Sequence, residues 1–240
     1  MARRKIADVV EKRPYFEAAP VDSSVTEEGT RDMGVQYPFL ICGGRNTERY
    51  YFTHINDTTN YKFNIRPKYF GDEANYTEAF PPRIREILKV NNDAKIFCVF
   101  DWDTIYGQEV NLNKHKAFER LFEAEISNGM VVVCPSMPSI EYWFLLHFAD
   151  DDRFYKSYGS IAGVLAPHLK PYFVDPSKPF KKLLKSEKHL KDATWVMNLC
   201  AAGKLDLAIQ RAEKNIKAAI ASDELDRHAY SYVYKVFKKL

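Results

Sequence analysis

The chain has 240 residues, with 35 Lys+Arg against 32 Asp+Glu, a formal net charge of +3. Hydrophobic residues make up 46% and charged residues 28%, which excludes wholesale disorder. No apolar run approaches the ~20 residues of a spanning helix.

Residues 1–35 are polar and lack a sustained helical or strand period, so they are expected to form an N-terminal arm. The opening Met1-Ala2-Arg3-Arg4-Lys5 leads into charged sequence and does not read as a secretory signal. Tyr37 to Cys42 reads as a strand broken by Gly43-Gly44, and Asn46 as the cap of a helix over 47–56. Residues 61–69 read as a weaker strand interrupted by Pro67. Pro81-Pro82 is expected to start a helix with Ile84, Ile87 and Leu88 on one face. Lys95 to Asp101 is continuously apolar up to its last residue, the pattern of a strand buried on both faces. A helix is expected over 112–126, with Phe118, Leu121, Phe122 and Ile126 at helical spacing. Met130 to Cys134 reads as the next buried strand, and Ser139 as the cap of a helix over 140–148.

This alternation of strands and helices predicts an α/β domain over 36–150 with a parallel sheet flanked by helices. Residues 151–240 read as a helical extension packed on it. Leu205, Ile209, Ala212, Ile216 and Ile220 form an apolar stripe, and a last helix is expected over 230–239. The cysteines Cys42, Cys98, Cys134 and Cys200 include no Cys-x-x-Cys pair, and three of them sit in the apolar runs. They read as reduced core thiols of a cytoplasmic protein rather than zinc ligands or disulfides.

Phe100-Asp101-Trp102-Asp103 stands where a buried strand runs out. In extended geometry Asp101 and Asp103 point to one side, about 6–7 Å apart at Cα. Ligand chemistry in open parallel sheets sits at the carboxyl ends of the strands. A divalent cation between the two acids is one reading; a solvated loop with a helix cap is the other. Glu141, in the first turn after the next strand, either joins this rim or serves its own helix dipole. Glu48, in the first turn after the first strand, either joins the rim or pairs with Arg45 or Arg49. Gathered together, such acids suit metal-assisted phosphoryl chemistry.

Between 166 and 191, seven lysines (Lys170, Lys178, Lys181, Lys182, Lys185, Lys188 and Lys191) stand against Asp175 and Glu187, interleaved with Tyr172, Phe173 and Phe180. This is either a surface for DNA or RNA, for which Lys170, Lys178, Lys181, Lys182 and Lys185 are the candidates, or a solvated basic face. Trp143 and Phe144 read as core, and His147 as a hydrogen-bonded structural histidine rather than a base. No Gly-x-x-x-x-Gly-Lys-Ser/Thr run is present, so nucleotide hydrolysis would have to come from a partner.

At these residues the sequence resembles the RloB-like proteins of the wider Toprim fold group. Ile41-Cys42-Gly43-Gly44-Arg45-Asn46-Thr47-Glu48-Arg49-Tyr50-Tyr51-Phe52 is similar to Ile-Cys-Glu-Gly-x-x-Thr-Glu-x-x-Tyr-Phe. Val99-Phe100-Asp101-Trp102-Asp103 is similar to the family's Phe-Asp-x-Asp segment. Ser136-Met137-Pro138-Ser139-Ile140-Glu141-Tyr142-Trp143-Phe144-Leu145-Leu146-His147-Phe148 is similar to Ser-Asn-Pro-x-Phe-Glu-x-Trp-Leu-Leu-Leu-His-Phe and is the most specific of the three. Residues 208–212 and 228–240 resemble the family's C-terminal helices more weakly.

The resemblance implies a Toprim-like sheet and a nuclease-type centre using Mg²⁺ or Mn²⁺ on Asp101, Asp103 and Glu141. It also implies a role in abortive infection or restriction, and an ATPase partner. The family's first glutamate is replaced by Gly43, and its Asn by Met137. Three explanations of Gly43 stand open: Glu48 substitutes for the missing acid, the chain is a binding module with a dead centre, or the change silences a toxic nuclease. No oligomeric state is readable.

Overall fold

The computed structural model describes residues 37–44, 46–66 and 76–238. The polar arm at 1–35, residues 67–69 of the weak strand, Arg45 and the end of the last helix lie outside them.

In chain order the elements are β1 (Phe39–Cys42), α1 (Thr47–Thr58), β2 (Asn64–Arg66), α2 (Tyr76–Val90), β3 (Ile96–Asp101), α3 (Glu109–Leu121), α4 (Glu123–Ser127), β4 (Val131–Met137), α5 (Ile140–Leu146) and α6 (Tyr158–Leu169). Then follow α7 (Phe180–Leu183), α8 (Glu187–Leu190), α9 (Thr194–Cys200), α10 (Lys204–Ala221), β5 (Tyr230–Ser231) and α11 (Tyr234–Phe237). The sheet order is β2-β1-β3-β4-β5. All pairs are parallel except β4 with β5. The fold is therefore α/β with a mostly parallel sheet flanked by helices and a helical C-terminal part.

Strand alternation divides the core into two layers. Leu40, Cys42, Phe97 and Val99 face α1, α5, α6, α9 and α10, whereas Ile41, Ile96, Cys98 and Phe100 face α2 and α3. Cys42, Cys98 and Cys134 are buried free thiols in the three central strands. On the first face α1 and α5 meet through Tyr51 and Trp143. The Trp143 indole N–H donates to the Tyr51 hydroxyl at 2.8 Å, with both rings fully buried. Arg211 of α10 donates to the Leu146 carbonyl at 2.7 Å, satisfying an orphan carbonyl at the end of α5.

Several expectations are corrected. The helix expected to begin at Pro81-Pro82 begins five residues earlier, at Tyr76, and carries both prolines inside. Tyr76 and Phe80 anchor that first turn in the core, which offsets the two lost backbone donors. The helix expected over 112–126 starts at Glu109 and breaks at Phe122, whose side chain turns into the core. The strand after Gly129 runs three residues past Cys134, to Met137.

The α10 stripe is rotated from the one read in the sequence. Leu205, Ala208, Ala212, Ile216 and Ala219 are buried, and Ile220 is 57% exposed. Residues 230–239 do not form one helix. Tyr230 and Ser231 add an antiparallel edge strand to β4, held by a 2.8 Å hydrogen bond between the Ser136 and Ser231 hydroxyls. A two-residue strand of this kind is fixed by its partner and leaves no period in the sequence.

Tyr51→Phe strands the buried Trp143 donor. It is expected to cost about 1–3 kcal/mol in urea unfolding with an unchanged m value.

Candidate active site

Parallel register aligns the carboxyl ends of the central strands. Cys42 pairs with Val99, and Asp101 with Ser136. Glu48, Asp101, Asp103 and Glu141 all emerge at this rim, close enough for Glu48, Glu141 and Asp103 to raise Asp101 and for Glu141 to raise Glu48 and Asp103.

Extended geometry ends at Asp101 and a turn follows. Trp102 N–H donates to Ser136 O at 2.9 Å and Asp103 N–H to Pro138 O at 3.0 Å, so the turn tracks the end of β4. Asp101 Oδ1 accepts the Ile140 N–H at 2.8 Å, at the start of α5. Ser139 was expected to cap that helix. Its hydroxyl instead donates to Glu141 Oε2 at 2.5 Å and caps no N–H of α5, while Asp101 takes the first N–H of that helix.

Glu141 is fully buried. Its Oε1 has no hydrogen-bond partner among the described residues, and Lys185 Nζ lies 3.5 Å away as an ion pair. Lys185 was read as part of the nucleic-acid surface; the structure sets its ammonium at the acids. It arrives there because α1 is fastened to the 184–190 segment. Thr47 Oγ1 donates to Leu184 O at 2.7 Å, Asn46 Nδ2 donates to Lys185 O at 3.3 Å, and the Tyr50 hydroxyl donates to Glu187 at 2.9 Å. Asn46 thus binds Lys185 and does not cap α1. Of the other candidates, Lys178, Lys181 and Lys182 are exposed, Lys178 lies 4.0 Å from Asp175, and Lys170 is half-buried.

Glu48 is buried rather than paired on the surface, and Gly44 explains how. The carboxylate folds back over Gly44 and accepts backbone N–H groups there, in space that a side chain at 44 would fill. The sequence reading missed this role of Gly44. The signal available to it was a Gly four residues before a first-turn Glu. Gly43, Gly44, Glu48, Asp101, Thr104 and Asn111 line an open cleft of about 260 Å³. Gly43 itself is closely packed: a Cβ added there would stand 3.0 Å from Phe100 Cβ.

Burial, then the charge of Glu141, pushes Glu48 up to about 7, against the pull of backbone N–H groups and Lys185. Burial raises Asp101 well above the carboxylate range, and Glu48, Glu141 and Asp103 add to it. Asp103 is raised by burial and Glu141, partly opposed by the Tyr158 N–H and Lys185. Burial would lower Lys185, but Glu141, Asp101 and Glu48 outweigh it and raise it. His147 is not a base here. Its Nδ1 faces Trp143 O at 2.9 Å and burial lowers it to about 3.

Among the described residues no three His, Cys, Asp or Glu side chains stand close enough to hold a metal ion as they are placed. The donor set itself fits magnesium or manganese. It is all oxygen, its carboxyl groups outnumber the one nearby cation, and it includes the buried Glu141 Oε1, which makes no hydrogen bond and faces Lys185 as an ion pair.

Between pH 4.5 and 7 folded Glu48 holds its proton while the unfolded chain has released it, so stability falls as pH rises through that window. The fall should be on the order of 3 kcal/mol relative to Glu48→Gln, from chemical denaturation at each pH. Gly44→Ala displaces the carboxylate and should flatten the same window.

A family model described as RloB-like protein matches residues 39–240. No curated protein and no solved structure matches the chain. The family match spans all four rim acids, Gly43 and Lys185, and extends to the end of α11. The chain belongs to the RloB-like family.

Proposed function

We propose that this chain hydrolyses phosphodiester bonds of DNA or RNA with magnesium or manganese, in anti-phage defence and beside an ATPase partner. The observation that carries this reading is the pair Glu48 and Asp101 lining one cleft, with Glu141 and Asp103 within electrostatic reach of them and Lys185 as the cation near all four. Asp101, Asp103 and Glu141 would hold the ion. Bound there, it would neutralise the phosphodiester and acidify an attacking water.

Glu48, at about 7, is poised to accept a proton from water near neutral pH. The Lys185 ammonium, with its side chain 54% exposed, reaches both the acids and solvent, where it can neutralise a non-bridging phosphate oxygen. Lys178, Lys181 and Lys182 extend the positive charge along the backbone of a bound strand. The Toprim relationship and the defence role rest on the family resemblance and belong to this proposal.

A second reading is a non-catalytic module that recognises nucleic acid or the partner ATPase. It is favoured by Gly43, which offers no carboxylate, and by the Lys185–Glu141 ion pair, which gives Glu141 a counter-charge without a metal. A cleavage assay with Mn²⁺ separates the two. Under the first reading the unmodified chain cuts, Asp101→Ala abolishes cutting, and Glu48→Gln slows it about 10²-fold or more. Cutting only by Gly43→Glu indicates a silenced enzyme. Binding without cutting in every form supports the second reading.

A further inference from the structure

A second cavity, of about 340 Å³, opens where the chain leaves β3. It is lined by Trp102, Tyr106, Met137, Asp223, Leu225 and Tyr230 together with Asp226. Trp102 lies between Asp101 and Asp103 in the chain, one Cα step of about 3.8 Å from each. The rim that gathers the acids therefore also supplies a wall of this cavity. The opposite wall comes from the turn after α10 and from β5, which pairs Tyr230 with Met137. Tyr106 is 41% exposed, and its ring lies 5.6 Å from that of Phe154, itself 38% exposed.

These features combine two properties. The aromatic side chains offer flat surfaces, on which unpaired bases stack irrespective of sequence. Asp223 and Asp226 are exposed, and their carboxylates form no ion pair or side-chain hydrogen bond among the described residues. Ionised carboxylates are acceptors only, so a guest must present N–H groups to them. Of the four common bases, guanine presents two adjacent donors on one edge, N1–H and the N2 amino group, which match the two oxygens of one carboxylate. Adenine and cytosine present a single amino group there, and uracil a single imino N–H. The acidic lining also disfavours phosphate inside the cavity and leaves it at the neighbouring rim.

We infer that this cavity binds an unstacked guanine base of a single-stranded substrate and so sets a base preference beside the acid cleft. The inference rests on the reading of the cleft as a phosphodiester site. Its test needs neither metal nor cleavage, so the two can fail separately.

Trp143 and Trp195 are fully buried, so the half-buried Trp102 is the indole a guest would reach. The full chain, in EDTA, is titrated with guanosine 5′-monophosphate and with the adenosine, cytidine and uridine monophosphates, following tryptophan fluorescence. Saturable quenching is expected with the guanosine nucleotide, about tenfold tighter than with the others. The paired change Asp223→Asn with Asp226→Asn should weaken it about tenfold or more. Equilibrium dialysis of Trp102→Phe reports binding without the fluorophore and should show weakened but guanine-selective retention.

Absence of binding, or equal binding of all four nucleotides, overturns the inference. Displacement of the guanosine nucleotide by inorganic phosphate, with retention in the paired aspartate variant, also overturns it, since the phosphate rather than the base would then be held. Quenching by arginine amide at the concentrations that suffice for the guanosine nucleotide would mark the cavity as a cation site and overturns it equally.

Discussion

Negative charge in excess of its counter-charge, collected on one edge of a parallel sheet, is the constraint on which this site depends. Glu48, Asp101, Asp103 and Glu141 come from three strand–helix junctions, and Glu48, Glu141 and Asp103 all raise the proton affinity of Asp101. Burying carboxylates together is unfavourable unless a cation or hydrogen bonds compensate. Here compensation is partial: Ile140 N–H serves Asp101, Ser139 serves one oxygen of Glu141, and Lys185 faces the other. The remainder is held as protonation near neutral pH.

The rest of the fold makes this tolerable. The acids stand on a rigid sheet whose central strands are covered on both faces, and the aromatic pair Tyr51–Trp143 locks the helices that carry Glu48 and Glu141 against each other. The same α1 that supplies Glu48 is strapped through Thr47, Asn46 and Tyr50 to the segment that supplies Lys185. Base and counter-ion are thus delivered by one fastening, and a shift of α1 would alter both. Under the proposed function, a divalent ion would have to compete with Lys185 for Glu141 Oε1. The lysine, with half of its side chain in solvent, has somewhere to go.

The legible parts of the sequence were those set by local pattern. The continuous apolar run before Asp101 and the Val-rich run after Gly129 are buried strands because nothing but a two-sided core suits them. Their order makes the sheet parallel, and a parallel sheet brings its carboxyl ends together, so the acids could be named before any coordinates. Long-range dependence is what the sequence hid. Tyr230-Ser231 is a strand only because β4 offers an edge, and α2 starts at Tyr76 only because Tyr76 and Phe80 find the core. Lys185 is one lysine among seven until the hydrogen bonds from α1 single it out. Asp101, read either as a ligand or as a helix cap, accepts the first N–H of α5.

Position 43 bears on the same charge balance. By the family pattern a glutamate stands there, and its carboxylate would enter the cleft that Glu48 and Asp101 already line. Five acids facing Lys185 would be harder to keep without a metal than four, because each added charge raises the proton affinity of the others. Glycine removes one negative charge and also removes the close contact that a Cβ would make with Phe100. The chain therefore tolerates a metal-free cleft more easily than the family pattern would, and for the same reason attracts a divalent ion less strongly. Charge that stabilises the empty site less is charge that binds the cation more. Substituting glycine moves both in the opposite sense, without displacing Glu48 from its place over Gly44.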